Sequence, residues 1–92
     1  MKLSTVIITW NAAKYVKRCF DSLFAATAGM DSEIIVVDNG STDDTLSLIN
    51  QYCSRGNVQV ERLEKNTGVA HARNVGIRKC KGDYVWILDI DT

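Results

Sequence analysis

The chain has 92 residues, enough for one small domain with a modest core. Hydrophobic residues make up 46% and charged residues 24%, an ordinary globular balance, and 11 Lys plus Arg offset 11 Asp plus Glu. That neutrality argues against nucleic acid as a partner and against broad attraction to an anionic membrane, while leaving room for a local basic site. Cys19, Cys53 and Cys80 are odd in number, widely spaced and without a C-x-x-C. They predict reduced thiols in a cytoplasmic protein, not a disulfide framework or a zinc site. Cys19 and Cys80 fall on apolar helix stripes and read as small buried hydrophobes. No apolar run approaches the roughly 18 residues of a membrane span, and the start lacks a signal-peptide pattern. Membrane attachment would be peripheral and would come from sequence outside this chain.

In chain order, Ser4–Thr9 is apolar and β-branched, a buried strand that ends in the polar and aromatic tip Thr9-Trp10-Asn11. Ala12–Ala28 follows as an amphipathic helix. Tyr15, Val16, Cys19, Phe20, Leu23 and Phe24 form its apolar side, and Gly29 closes it. Glu33–Asp38 is a second buried strand with Asp38 at its carboxyl end. Asn39–Thr45 is a tight turn into a helix, where Ser41 reads as the cap, Asp43 and Asp44 supply charge at the helix start, and Leu46, Ile49, Tyr52 and Cys53 mark the buried side. That helix ends at Arg55-Gly56-Asn57. Val58–Leu63 alternates in polarity and predicts a strand near a sheet edge. Glu64–Thr67 is polar. Gly68–Lys79 predicts a third helix whose narrow stripe, Val69, Ala72, Gly76 and Cys80, suits close approach of helix and sheet. Gly76 inside that helix costs about 1 kcal/mol against alanine, so tight packing should compensate it. His71 lies off the stripe and predicts an exposed side chain. Lys81-Gly82 ends the helix, and the unbroken run Tyr84–Leu88 predicts a strand covered on both faces.

Strands alternating with helices, βαβαβαβ, predict an α/β fold: a Rossmann-like three-layer sandwich with a mostly parallel four-stranded sheet and helices on both faces. Ligands of such sheets gather beyond the carboxyl ends of the strands. The polar clusters Thr9-Trp10-Asn11, Asp38-Asn39-Gly40-Ser41, Asn66 and Asp89-x-Asp91 all follow a strand's carboxyl end and predict one shared site. Asp89 and Asp91 share a face of extended chain, roughly 6–7 Å apart at Cα. Two like charges so placed repel each other. A hard cation with oxygen ligands, Mg²⁺ or Mn²⁺, relieves the conflict. Neither G-x-G-x-x-G nor G-x-x-x-x-G-K-[ST] is present, which argues against a dinucleotide dehydrogenase and a P-loop hydrolase. A diphosphate handled through a metal remains.

Four segments then resemble the amino-terminal half of an inverting family-2 glycosyltransferase of the GT-A fold. They are Val6–Asn11, Val36–Asp43, Asn66–Gly76 and Gly82–Asp91. Together they span nearly the whole chain, in the family's order and spacing. The resemblance implies a sheet of order 3-2-1-4 and a nucleotide-diphosphate sugar as ligand, most often a uridine one. It puts Thr9 and Trp10 at the base pocket, with Trp10 standing where the family usually has tyrosine, and gives Asn11 to the nucleotide. Asp38 and Gly40 go to the nucleotide, Asp38 accepting a hydrogen bond from uracil or ribose. Asn66 and Arg73 also go to the nucleotide side, and Asp89 and Asp91 to a Mn²⁺ or Mg²⁺ ion, Asp89 also reaching towards the ribose. Asn74 and Gly76 are packing positions. The implied chemistry is sugar transfer with inversion to an acceptor glycan or lipid-linked sugar. In that family the catalytic base follows the D-x-D, so the resemblance implies that 1–92 is a truncated donor-binding domain, inactive alone, whose base lies beyond Thr92. An uncovered hydrophobic edge at the fourth strand and self-association would follow. Two other readings stand beside this one: a non-catalytic flavodoxin-like or receiver-like α/β module, and a fragment that binds nothing.

Overall fold

The computed structural model describes residues 2–90. The elements are β1 (Leu3–Thr9), α1 (Ala13–Ala26), β2 (Ser32–Asp38), α2 (Thr45–Asn50), β3 (Val58–Arg62), α3 (Val69–Lys79) and β4 (Tyr84–Asp89). The four strands form one parallel sheet in the order β3-β2-β1-β4, as expected.

The alternation of side chains along β1 and β2 makes two cores. Ile7, Ile34 and Val36 point to α1 and α2 and meet Val16, Phe20, Leu23 and Ile49. Val6, Ile8, Ile35 and Val37 point the other way, to Ala72 of α3. After its first residue, each of these strands is buried throughout. Phe20 and Tyr52 stack with ring centroids 5.0 Å apart, tying α1 to the turn after α2. Gly76 is the point of closest approach between α3 and the sheet. A Cβ there would lie 2.5 Å from Val6 Cγ1 and 3.2 Å from Val37 Cγ2. The glycine therefore compensates its poor helix propensity by letting α3 settle onto β1 and β2. β3, half-buried at one edge, matches its alternating sequence.

Several expectations change. The first helix is Ala13–Ala26, shorter at both ends than Ala12–Ala28. Thr27 turns its hydroxyl back to Leu23 O at 2.9 Å, and Gly29 (φ +79°) serves the following turn and not the helix end itself. Ser41 does not cap α2, which starts at Thr45. The N-cap position of α2 is Asp44, with no side-chain cap bond, and Asp43 just before it accepts the Thr45 N–H at 2.9 Å and the Thr45 hydroxyl on Oδ1. Val69 is 52% exposed, so the buried stripe of α3 narrows to Ala72 and Gly76. Tyr84–Leu88 is a strand, but not a covered one: Tyr84, Val85, Trp86 and Ile87 are 58%, 44%, 45% and 36% exposed. α3 packs over β1 and β2, and no described strand lies beyond β4. The open hydrophobic edge expected from the family resemblance is thus present among the described residues.

Glu33 is a buried carboxylate at the amino-terminal end of the sheet, 1% exposed. Burial pushes its pKa up. Hydrogen bonds from the Ser4 hydroxyl and the Lys81 N–H, with the charges of Lys2 and Lys81, outweigh that and hold the carboxyl below its ordinary range. A lowered folded-state pKa stabilises the fold fully above the unfolded value of about 4.3, and that stabilisation is lost as pH falls through the folded value. Denaturant midpoints measured against pH should therefore drop on acidification below about pH 4.3, and Glu33→Gln should flatten part of that drop. Asp21, bonded to Lys17, and Asp43, bonded to Thr45, are also held below the usual range and should keep the remainder.

Candidate functional site

The parallel arrangement sends the tips of β1 and β2 to the same end, where they are sewn together. Asn39 N–H donates to Thr9 O at 2.8 Å. Asp38 is fully buried, and Ser41 engages both of its oxygens: the N–H at 2.9 Å on Oδ2, the hydroxyl at 2.5 Å on Oδ1. Having donated its proton to Asp38, the Ser41 hydroxyl accepts from Asn11 N–H at 2.9 Å. Asn11 adopts φ +45°, a left-handed conformation that asparagine tolerates better than most residues, and its Oδ1 accepts the Thr42 N–H at 2.8 Å. The first amides of α1 lack a local side-chain cap. Thr45 Oγ1 accepts from Ala12 N–H at 2.9 Å and Asp43 Oδ2 from Ala13 N–H at 3.4 Å. Asp43 thereby serves the starts of both helices, and the Thr45 hydroxyl and N–H, followed by Ala13 N–H, hold its carboxyl below the ordinary range.

A second seam joins β2 to the loop before α3. Asn39, 2% exposed, donates Nδ2–H to Asn66 Oδ1 at 3.1 Å, while its Oδ1 accepts the Thr67 N–H at 3.0 Å. Asn66 Oδ1 also accepts the Gly68 N–H at 2.9 Å. Gly40 (φ +86°) makes the approach possible, since a Cβ on it would lie 2.7 Å from Lys65 Cα. Only a residue without a side chain suits both that backbone angle and that contact.

Between these seams and the end of β4 lies a cleft of about 480 Å³ whose walls include Thr9, Trp10, Asn11, Asn39, Asn66 and Asp89. Six of the residues expected at a shared site, Thr9, Trp10, Asn11, Asn39, Asn66 and Asp89, thus come together. Trp10 offers an indole 52% exposed at the rim. Thr9 is buried beneath it, and its hydroxyl has no hydrogen-bond partner among the described residues. Asp38 and Gly40 are not on the walls and act from behind, by shaping the turn. Arg73 is exposed on α3 and off the cleft, and its side chain makes no ion pair among the described residues. His71 is exposed, as predicted. Asp91 lies outside the described residues. Asp89 supplies a hard oxygen donor at the rim, of the type that suits Mg²⁺ or Mn²⁺. Among the described residues no group of three or more His, Cys, Asp and Glu side chains is assembled. A smaller cleft of about 270 Å³ runs between α1 and the open face of β4, past Arg18, Trp86 and Leu88.

The parallel sheet of order 3-2-1-4, with polar residues of three strand tips around one cleft, defines a Rossmann-like α/β domain of the GT-A type. The family described as glycosyl transferase family 2 matches residues 4–92, and the chain belongs to it. The poly(ribitol-phosphate) β-N-acetylglucosaminyltransferase TarS of Staphylococcus aureus is 35% identical over 99% of this chain, which spans 16% of that protein. A crystal structure of TarS 1–349 with UDP-GlcNAc superposes with a TM-score of 0.90 at 35% identity, over 99% of this chain and 27% of that one. The mannosyltransferase PcManGT of Pyrobaculum calidifontis, solved with GDP-Man and Mn²⁺, gives 0.88 at 26% identity, over 97% and 27%.

Asn39 and Asp43 are the residues whose weight the sequence understated. Both stood in a turn-forming cluster, but their distant partners are 27–30 positions away, among them the first turn of α1, which no local pattern announces. Asn39→Ala takes one of two donors from Asn66 Oδ1, leaves the Thr67 N–H without its partner and should cost about 1–3 kcal/mol in a denaturant titration. Amide exchange in residues 64–68 should accelerate more than in β1.

Proposed function

We propose that this chain is the donor half of a glycosyltransferase, and that its cleft holds a nucleotide-diphosphate sugar, a UDP-sugar in preference. The observation that carries this reading is the convergence of Thr9, Trp10, Asn11, Asn66 and Asp89 on one cleft in a chain of glycosyl transferase family 2. UDP-GlcNAc in the TarS crystal and GDP-Man with Mn²⁺ in PcManGT support it by likeness.

In this reading the exposed face of Trp10 stacks on the base. The hydroxyl of Thr9, buried and without a hydrogen-bond partner among the described residues, would have to turn into the cleft to meet the base. Asp38 holds Ser41 and would reach uracil or ribose only if Ser41 yields one oxygen. Arg73, always charged, would swing from the surface of α3 to the diphosphate. Asp89 and Asp91 would hold Mn²⁺ or Mg²⁺, which when bound neutralises charge on the leaving diphosphate. Transfer proceeds with inversion to a hydroxyl of a glycan or lipid-linked acceptor, and the base that takes its proton belongs to sequence outside these 92 residues. The chain alone then binds donor without turning it over, in a cytoplasmic or membrane-peripheral parent.

Calorimetric titration with UDP tests the reading. Binding should require Mn²⁺ or Mg²⁺ and weaken at least about tenfold in Asp89→Ala and in Asp91→Ala, with the fold retained by circular dichroism. Equal affinity with and without metal, or in both variants, would sink it. The open edge of β4 gives a further expectation, self-association of the isolated chain. Sedimentation velocity should show the weight-average coefficient rising with concentration, and a steady monomer would count against it.

A further inference from the structure

β4 poses a register problem. Its one strand neighbour among the described residues is β1, and Tyr84 to Ile87 are exposed. Along these four residues there is little packing to fix the register, Leu88 and Ile90 at the far end alone meeting the core on the α1 side, and a slip of one residue exchanges the faces of the strand. Asp89 lies opposite Ile8. A slip would bring Leu88 or Ile90 to that place and remove the carboxylate from the rim of the cleft.

The register is set at the other end of the sheet, about 20 Å from Asp89 along β4. There a polar side chain occupies a position where a hydrophobe would continue the core. Glu33 Oε2 accepts two hydrogen bonds, from the Ser4 hydroxyl at 2.6 Å and from Lys81 N–H at 2.6 Å. Ser4 and Glu33 are direct partners in the β1–β2 register. The Ser4 hydroxyl has one proton, and its commitment to Glu33 leaves lone pairs for Gly82 N–H, which donates at 2.8 Å. Gly82 is held so closely that a Cβ would lie 2.6 Å from Ser4 Oγ and 2.7 Å from Lys2 O. One residue on, Asp83 N–H donates to Lys2 O at 2.7 Å, and the Asp83 carboxylate accepts Lys2 N–H at 2.9 Å. With residues 81–83 pinned in this way, Tyr84 falls opposite Leu3 and the count runs on to Asp89 opposite Ile8.

We propose that Glu33 is a positioning residue for the cleft at the far end of the sheet: through Ser4 and the Lys81–Gly82 turn it locks the register of β4 on β1 and so places Asp89 at the rim. Only the consequence for ligand binding rests on the function proposed above. The lock itself is a property of the fold.

Amide exchange and cross-strand NOEs on the full chain, with Glu33→Ala and Glu33→Gln, test it. In Glu33→Ala, β4 amides should exchange at least about tenfold faster while the middle of β1 and β2 stays protected, and the Ile8–Asp89 NOEs should disappear. Glutamine keeps an oxygen that accepts both bonds, so Glu33→Gln should restore protection and NOEs. Metal-dependent UDP binding should follow the same order, weakened about tenfold in the alanine variant and recovered in the glutamine one. Should Glu33→Ala not fold, Ser4→Ala removes the Gly82 anchor and the Ser4–Glu33 bond, leaves Lys81 N–H on Glu33, and carries the same expectation. Unchanged β4 protection, uniform loss across the sheet, or glutamine no better than alanine would overturn the lock. UDP affinity unchanged with β4 released would overturn the positioning of the site. A wild-type chain that binds no UDP would instead refute the functional reading, while the NOEs still decide where Asp89 stands.

Discussion

The bond from the Ser41 hydroxyl to the buried carboxylate of Asp38 is the constraint around which this end of the molecule is arranged. A carboxylate with no exposed surface must have its oxygens satisfied, and the residue three positions on does so with two donors. That closes the turn after β2. The same hydroxyl then accepts from Asn11, which ties the turn to the tip of β1 and holds Trp10 outward. Asn39 N–H on Thr9 O and Thr42 N–H on Asn11 Oδ1 tie the same two tips beside it.

The polar residues at the strand ends divide into two groups with different work. Asp38, Asn39, Ser41, Asp43 and Thr45 are occupied with one another, with Asn66 and Thr67, and with the amides at the start of α1. Thr9, Trp10, Asn11, Asn66 and Asp89 border the cleft, and Asn39 belongs to both groups. Rigidity of the first group gives precision to the second, because side chains held by buried hydrogen bonds do not drift.

The sheet is unequal across its width. β1 and β2 are covered on both faces and need no further device to hold their pairing. β4 has mostly open faces, and hydrogen bonds at one end stand in for packing along its length. Glu33 and Gly82 are the two residues that this substitution demands, one as acceptor and one for want of a side chain.

Element order, parallel pairing and the gathering of polar residues at one end were legible in the sequence, since they follow from short-range alternation and from the handedness of strand-helix-strand units. So was the role of Gly76, where a glycine amid a helical stripe signals close approach. The sequence could not tell which polar residues bond to each other and which face the cleft. Asp38 and Asp89 both end strands in hydrophobic runs, yet one is buried and engaged by Ser41 while the other stands at the rim. Nor could it show that the apolar run of β4 is exposed. Burial depends on what lies across the sheet, and the partners that decide it, α3 over β1 and β2 and only the edge of α1 near Leu88 at the end of β4, are set by packing between segments distant in the chain.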